Sequence, residues 1–227
     1  MIEVDLRQDG VRALNQRLHA LRADSNERAF RVTNPMGGHS IAVGIEQPVE
    51  VAIDGHVGFY CGGMNKEATI TVHGHAGPGV GENMMSGRIH ITGNCSQGAG
   101  ASGRGGMLIV DGDASSRCGI SMKGISIVVK GSVGHMSAFM GQSGNLVVCG
   151  DCGRDLGDSL YEARIYVRGE VASLGADCVE KEVTPHHRAK LARLLAEAGI
   201  DLDPGTFRRY GSARRLYHFH VDHAAAY

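Results

Sequence analysis

The residue types able to do chemistry are present in this chain, but not at the spacings that the chemistry needs. Cys149-Gly-Asp-Cys152 has the two-residue gap of a redox pair, in which a following helix or a nearby cation lowers one thiol's pKa. No helical pattern follows it. Cys149 occupies an outward repeat position and Cys152 an inward row of Val and Ala, so the two side chains are expected in different surroundings, as reduced structural cysteines. Cys61, Cys95, Cys118 and Cys178 stand singly, without the paired spacing of a zinc or iron–sulfur site. His218-x-His220-x-x-His223 has a spacing that metal ligands use, but it sits in an Ala-rich stretch and reads as a solvated or partner-contacting tail. Gly74-His-Ala-Gly-Pro-Gly-Val-Gly81 is as glycine-dense as a phosphate loop, yet Glu82-Asn83 stand where Gly-Lys-Ser/Thr and a helix are required. Asp111, Asp113 and Asp151 do not form the exposed carboxylate cluster of a polysaccharide-cleaving enzyme. His56 and His75 share a repeat slot with Asn94, Asp113, Ser132, Asp151 and Glu170, which reads as a solvated polar row. With no nucleophile–base pair among them, no catalytic, cofactor-binding or metal-binding residue is expected.

The scaffold that must carry these residues is announced by glycine. Of 227 residues 34 are Gly, roughly twice the usual share. Only 5 are Pro, which with the lack of a three-residue glycine period excludes collagen. Basic and acidic residues number 23 and 24, so the electrostatic footprint of a nucleic-acid binder is missing. Hydrophobic residues make up 42%, enough for a sizeable core. No apolar run approaches the roughly 20 residues of a membrane span, and Met1–Asp5 does not read as a signal peptide. Six cysteines in such a chain fit a reducing, cytoplasmic setting.

Short β-branched runs close on Gly55, Gly74, Gly93, Gly112, Gly131, Gly150 and Gly169, each 19 residues after the last, without an insertion or deletion. In this register Val51, Ile70, Ile89, Leu108, Ile127, Leu146 and Ile165 stand four residues before the anchor, and Ile53, Val72, Ile91, Val110, Val129, Val148 and Val167 two before it. Period-2 alternation puts both rows on one strand face, turned inward. A smaller inward row follows past a corner, from Val57 and Ala76 to Cys152 and Val171, and a Gly/Ala row runs from Gly62 to Ala176. The anchor glycines are expected to supply a positive φ at the turn. One strong strand, a small corner and a glycine-rich return are what a parallel β-helix needs, because a single coil cannot bury its aliphatic face alone. The right hand is the default of parallel crossovers. The predicted fold is therefore all-β, a right-handed parallel β-helix of about seven 19-residue coils over residues 45–180.

Two helices are expected to flank it and to cover its open ends. Val11, Leu14, Leu18 and Leu21 follow helical spacing over residues 10–22, and an irregular lead-in with a strand at Ser40–Val43 completes an N-terminal region of residues 1–44. Thr184-Pro185 opens a second helix with the apolar stripe Leu191, Leu194, Leu195 and Ala198, and Gly199 closes it. Residues 181–227 form this C-terminal region, whose Arg- and His-rich stretch from residue 201 is expected to dock loosely or onto a partner. One row breaks the outward polarity: after Ala52, Thr71 and His90 come Ile109, Val128, Val147 and Tyr166. This outer apolar stripe is the candidate interface, for a flanking helix or a partner subunit.

In register, the coils resemble the Gly-x-Gly-x-Gly β-helix family. That family includes the C-terminal domain of the glutamate synthase large subunit, and the glycine-repeat subunit of formylmethanofuran dehydrogenase and of related formyltransferase/hydrolase complexes. Arg117–Gly124, Gly134–Gly141 and Leu156–Gly169 look most like the stand-alone glutamate-synthase-like subunit of N-methylglutamate synthase. That resemblance implies a cytoplasmic hetero-oligomer with an amidotransferase-like subunit and an FMN-binding synthase subunit, which makes N-methylglutamate and ammonia from methylamine and L-glutamate. FMN, and an iron–sulfur cluster if one is present, would belong to the partner. This chain lacks a Cys after Met1, a flavin barrel and a cysteine cluster, and so matches the scaffold of such a complex. A subunit of a formyl-transferring complex is the alternative, against which the Ser-Leu-Tyr-Glu-Ala stretch and the short length argue. An autonomous β-helix hydrolase or lyase is a third, which would show an exposed charged cleft and activity on its own.

Overall fold

The computed structural model describes residues 1–215. Its strands are β1 (Ile2–Asp5), β2 (Ala29–Thr33), β3 (Glu50–Asp54), β4 (Thr69–Val72), β5 (Arg88–Ile91), β6 (Met107–Val110), β7 (Lys123–Val129), β8 (Ser143–Val148), β9 (Arg164–Val167), β10 (Cys178–Lys181) and β11 (Arg208–Ser212). The helices are α1 (Gly10–His19) and α2 (Pro185–Glu197). All the strands lie in one sheet, parallel from β1 to β9, and the coils form a right-handed solenoid of about seven turns between the two helices. From β3 to β9 the rungs pair a residue with the one 19 positions on, Val51 with Ile70, Ile70 with Ile89, and so to Leu146 with Ile165, apart from Lys123 with Ser143 before a bulge in β7. Both predicted strand rows are buried in one continuous core, and the corner row forms parallel bridges from Val57–Ala76 to Cys152–Val171.

The return side of each coil is not a strand, yet it is equally well bonded. Tyr60, Gly62 and Met64 all have left-handed φ, 58°, 64° and 57°. Between them the residues fall back to ordinary φ, so successive amides point alternately up and down the stack. Tyr60 N–H donates to Pro78 O at 2.9 Å in the next coil, Gly62 N–H to Ile41 O at 3.0 Å in the previous one, and Met64 N–H to Glu82 O at 2.8 Å in the next. The pattern repeats at Gly79, Gly81 and Asn83, and at Gly98, Gly100 and Ser102. The middle position favours glycine for its left-handed backbone and because a Cβ at Gly62 would stand 2.7 Å from Ile89 Cδ1. The last member of this row, Ala176, is exposed, since no further coil covers it.

The anchor glycines serve a different purpose from the one expected. Only Gly55 has a left-handed φ, and Gly74 to Gly169 do not. They are glycine because the coils touch there: a Cβ on Gly74 would lie 2.7 Å from the Gly55 carbonyl carbon, and one on Gly131 2.7 Å from Gly112 O. Gly74 O in turn accepts from Gly93 N–H at 3.0 Å.

The flanks depart further from the sequence reading. The sheet begins before residue 45, with Val4, Phe30 and Val32 extending the inner rows beneath Val51 and Ile53. Loops of other lengths join these strands and hide them from a 19-residue register. Ser40–Val43 is not a strand, and Ser40 and Ala42 take left-handed φ of 56°. Residues 208–212 are not loose: β11 lies antiparallel between β9 and β10 and covers the edge of the last full coil.

Candidate functional site

Three outer surfaces of the stack carry the candidate residues. The first is the polar row beside the anchors. His75 N–H donates to His56 Nδ1 at 2.9 Å, Asn94 N–H to His75 Nδ1 at 2.9 Å, and Asp113 N–H to Asn94 Oδ1 at 2.9 Å. The series continues through Ser132 N–H to Asp113 at 2.7 Å, Asp151 N–H to Ser132 at 2.9 Å and Glu170 N–H to Asp151 at 2.8 Å. The row is solvent-exposed, as its sequence reads, and it is also a ladder in which each side chain from His56 to Asp151 accepts from the backbone one coil on. Since Nδ1 of His56 and His75 accepts, the ring proton sits on Nε2, and the rings stack at 4.7 Å. Such groups are engaged in holding coils together. The signal was visible in the sequence: every side chain from His56 to Asp151 in this slot carries an acceptor atom.

The glycine loop Gly74–Gly81 is used in the same way. The amides of Gly77, Gly79 and Gly81 donate to Val57 O, Gln97 O and Cys61 O, so they do not converge on an anion.

The cysteines lie inside or under cover. All six are buried and unbonded to one another. Burial pushes the Cys61, Cys118, Cys152 and Cys178 thiols up to about 12, and raises Cys95 and Cys149 as well. A thiol held protonated is neither a nucleophile nor a ready metal ligand. Cys152 belongs to the inner core and Cys149 to a second, outer cluster, so the CxxC partners do face different surroundings. Cys149 nonetheless is buried, because helix α2 covers the side on which it projects. Among the described residues no three His, Cys, Asp or Glu side chains are placed to hold a metal ion. His218, His220 and His223 lie outside the described residues.

The second surface carries His90, Asp111 and Lys130. Asp111 Oδ1 is 2.9 Å from His90 Nε2 and 2.7 Å from Lys130 Nζ. Burial opposes ionisation of Asp111, but Lys130 and His90 outweigh it and hold the carboxyl below its usual range. A His–Asp pair of this kind orients a base only if a nucleophile follows. Here Lys130 takes the same oxygen, and among the described residues His90 bonds to Asp111 alone. Asp113 and Asp151 belong to the ladder and stand apart from this cluster.

The third surface is the stripe. Ile109, Val128, Val147 and Tyr166 are completely buried, with Met107 and Cys149 nearly so, against Leu191, Leu194 and Leu195 of α2, its C-cap Ala198, and Phe207. Helix α2 starts at a Thr184 cap whose side chain exchanges hydrogen bonds with His187. It ends with Arg88 donating to Glu197 O at 2.7 Å, a cation at the negative end of the helix. The candidate interface is thus occupied by the chain's own C-terminal helix.

Among the described residues no helix is long and apolar enough to cross a membrane. No family model matches the chain, and no solved structure matches it. Protein GlxC of Rhizobium meliloti (strain 1021) is 60% identical over 225 residues, which cover 99% of this chain and 99% of the relative. A likeness of that depth over the whole coil stack and both flanks places this chain in the glutamate-synthase-like β-helix family, to which it belongs.

Proposed function

We propose that the chain is the non-catalytic β-helix subunit of a cytoplasmic glutamate-synthase-like complex, N-methylglutamate synthase, which converts methylamine and L-glutamate into N-methylglutamate and ammonia. One observation carries the scaffold reading. The His, Asn, Asp and Ser side chains that repeat along the outer face accept hydrogen bonds from the next coil's backbone, and the six thiols are buried. These side chains are engaged in holding the coils together or lie buried. Family membership supports the class of complex. The choice of methylamine as substrate rests on the resemblance of Arg117–Gly124, Gly134–Gly141 and Leu156–Gly169 to that subunit. In this reading FMN, and any iron–sulfur cluster, is held by a synthase partner, an amidotransferase-like subunit completes the assembly, and the chain, with its N-terminal region 1–44, coils 45–180 and C-terminal region 181–227, is the scaffold between them.

The test is reconstitution. The chain is purified alone and with its native partners, and each preparation is assayed for flavin absorbance and for methylamine-dependent N-methylglutamate. Flavin and turnover are expected only in the complex, and turnover is expected to fall when this subunit is omitted. A stoichiometric flavin spectrum in the isolated chain, or turnover without partners, overturns the scaffold reading. A complex that turns over glutamate but not methylamine overturns the substrate alone.

A further inference from the structure

Where the last coil meets the C-terminal strands, a cavity of about 250 Å³ is lined by Arg164 of β9, Lys181 of β10, Arg209 of β11, Arg214, His187 of α2 and Glu162. Glu162 is already engaged: Arg214 Nη2 donates to both of its oxygens, at 2.9 and 3.1 Å. The described residues offer Arg164 and Lys181 no ion pair, and Arg209 Nε donates to a neutral acceptor, Glu182 O, at 2.9 Å. Three cations therefore share the cavity with no carboxylate of the lining paired to them, while Glu182, outside the lining, offsets part of the charge on Arg209 and His187. Their mutual cost is felt by their neighbours. Burial, reinforced by Arg164, pulls the Arg209 guanidinium below its usual range. Burial, then Arg209 and Arg164, pushes His187 down. With Nδ1 accepting from Thr184 N–H at 3.3 Å, neutral His187 keeps an N–H donor on Nε2.

A buried hydroxyl lies near these cations, outside the lining of the cavity. Tyr166, which pairs with Arg209 across the β9–β11 ladder, is completely buried, and its hydroxyl has no hydrogen-bond partner among the described residues. The charges acting on it are those of Arg164 and Arg209.

We propose that this cavity is a binding site for a small oxyanion, a phosphate or a dicarboxylate. Guanidinium forks match the paired oxygens of either group, and a Lys adds a point charge. A cavity of about 250 Å³ has room for an anion of a few heavy atoms. The donors come from separate segments fixed by one hydrogen-bonded ladder, so little ordering opposes binding. The proposal does not depend on which complex the chain joins.

Calorimetric titration of the intact chain with inorganic phosphate and, separately, with succinate, at an ionic strength fixed with sodium chloride, tests it. One-site saturation by at least one of them is expected, and the anion that saturates identifies the ligand class. Arg164→Gln and Lys181→Gln, both at the protein surface, should each weaken binding at least tenfold. Glu162→Gln, which removes the competing acid, should tighten it. No saturable heat with either anion, or affinity unchanged in both cation variants, overturns the site.

Discussion

Helices α1 and α2 are both short and amphipathic, and both lie at the margin of the coil stack, yet they close different surfaces. α1 seals an end. Leu14 and Leu18 continue the inner core beneath Phe30, Ile41 and Ile45, and Asn15 meets the first turn of loop, donating to Ser40 O at 2.8 Å and accepting from Ala42 N–H at 3.0 Å. α2 seals a flank. It crosses the outside of β6 to β9 and buries Ile109, Val128, Val147 and Tyr166, while the opposite end of the stack is covered by β11 instead. An apolar stripe on a helix states that the helix will be buried. Which surface it buries depends on which apolar surface the rest of the chain leaves uncovered.

The comparison can be broken most sharply by placing a charge under α2. Val128→Asp puts a carboxylate into a fully buried site without a partner, at a cost of about 3–5 kcal/mol. Because the inner rows do not contain Val128, the expected result is release of α2 with the coils intact. Limited trypsin digestion should then cut at Arg188 and Arg193 while circular dichroism keeps its sheet signal. Global unfolding instead would show that α2 is as integral as α1.

Leu14→Ala is the matching test at the sealed end. It opens a cavity in the continuous core and should cost about 3 kcal/mol, seen as one cooperative melting transition lowered by roughly 6–12 °C. A separate early transition of α1 would place its packing outside the core.

Asn15→Ala leaves Ser40 O and the Ala42 amide without their partner, costing about 1–3 kcal/mol. Faster hydrogen exchange at the Ala42 amide, with the later coils unchanged, is the expected signature.

The smallest effects separate inner from outer burial. Cys152→Ser puts a hydroxyl into the inner core and should cost about 1–3 kcal/mol. Cys149→Ser, at the rim of the surface under α2 and near Lys130 and Arg168, should cost under about 1 kcal/mol. Neither should change turnover of the complex. Loss of activity in a folded, assembled Cys149 variant would reveal redox chemistry at that position.

Much of the molecule was legible in its sequence because a β-helix repeats one local problem. Each coil meets the same neighbours, so a 19-residue register fixed the strand rows, the corner row and the parallel pairing from Val51 to Val167. Thr184, Pro185 and Gly199 marked α2 for the same reason, since caps and stops are local chemistry. The outer stripe was visible too, as four apolar residues where Thr71 and His90 set the pattern.

What tertiary structure alone decided lies where the repeat ends. β1 and β2 pair across loops of unrelated length, so no period reveals them, and β11 is a strand only because β9 and β10 leave it a place between them. The anchor glycines appeared in the sequence as turn residues, but their cause is the approach of a second backbone, a distance that does not exist until the coils stack. The basic cavity joins Arg164, Lys181, Arg209 and Arg214, which only folding brings together. Sequence fixes what recurs between nearest neighbours along the chain, whereas contacts between segments that occur once are set by the surfaces the finished stack leaves open.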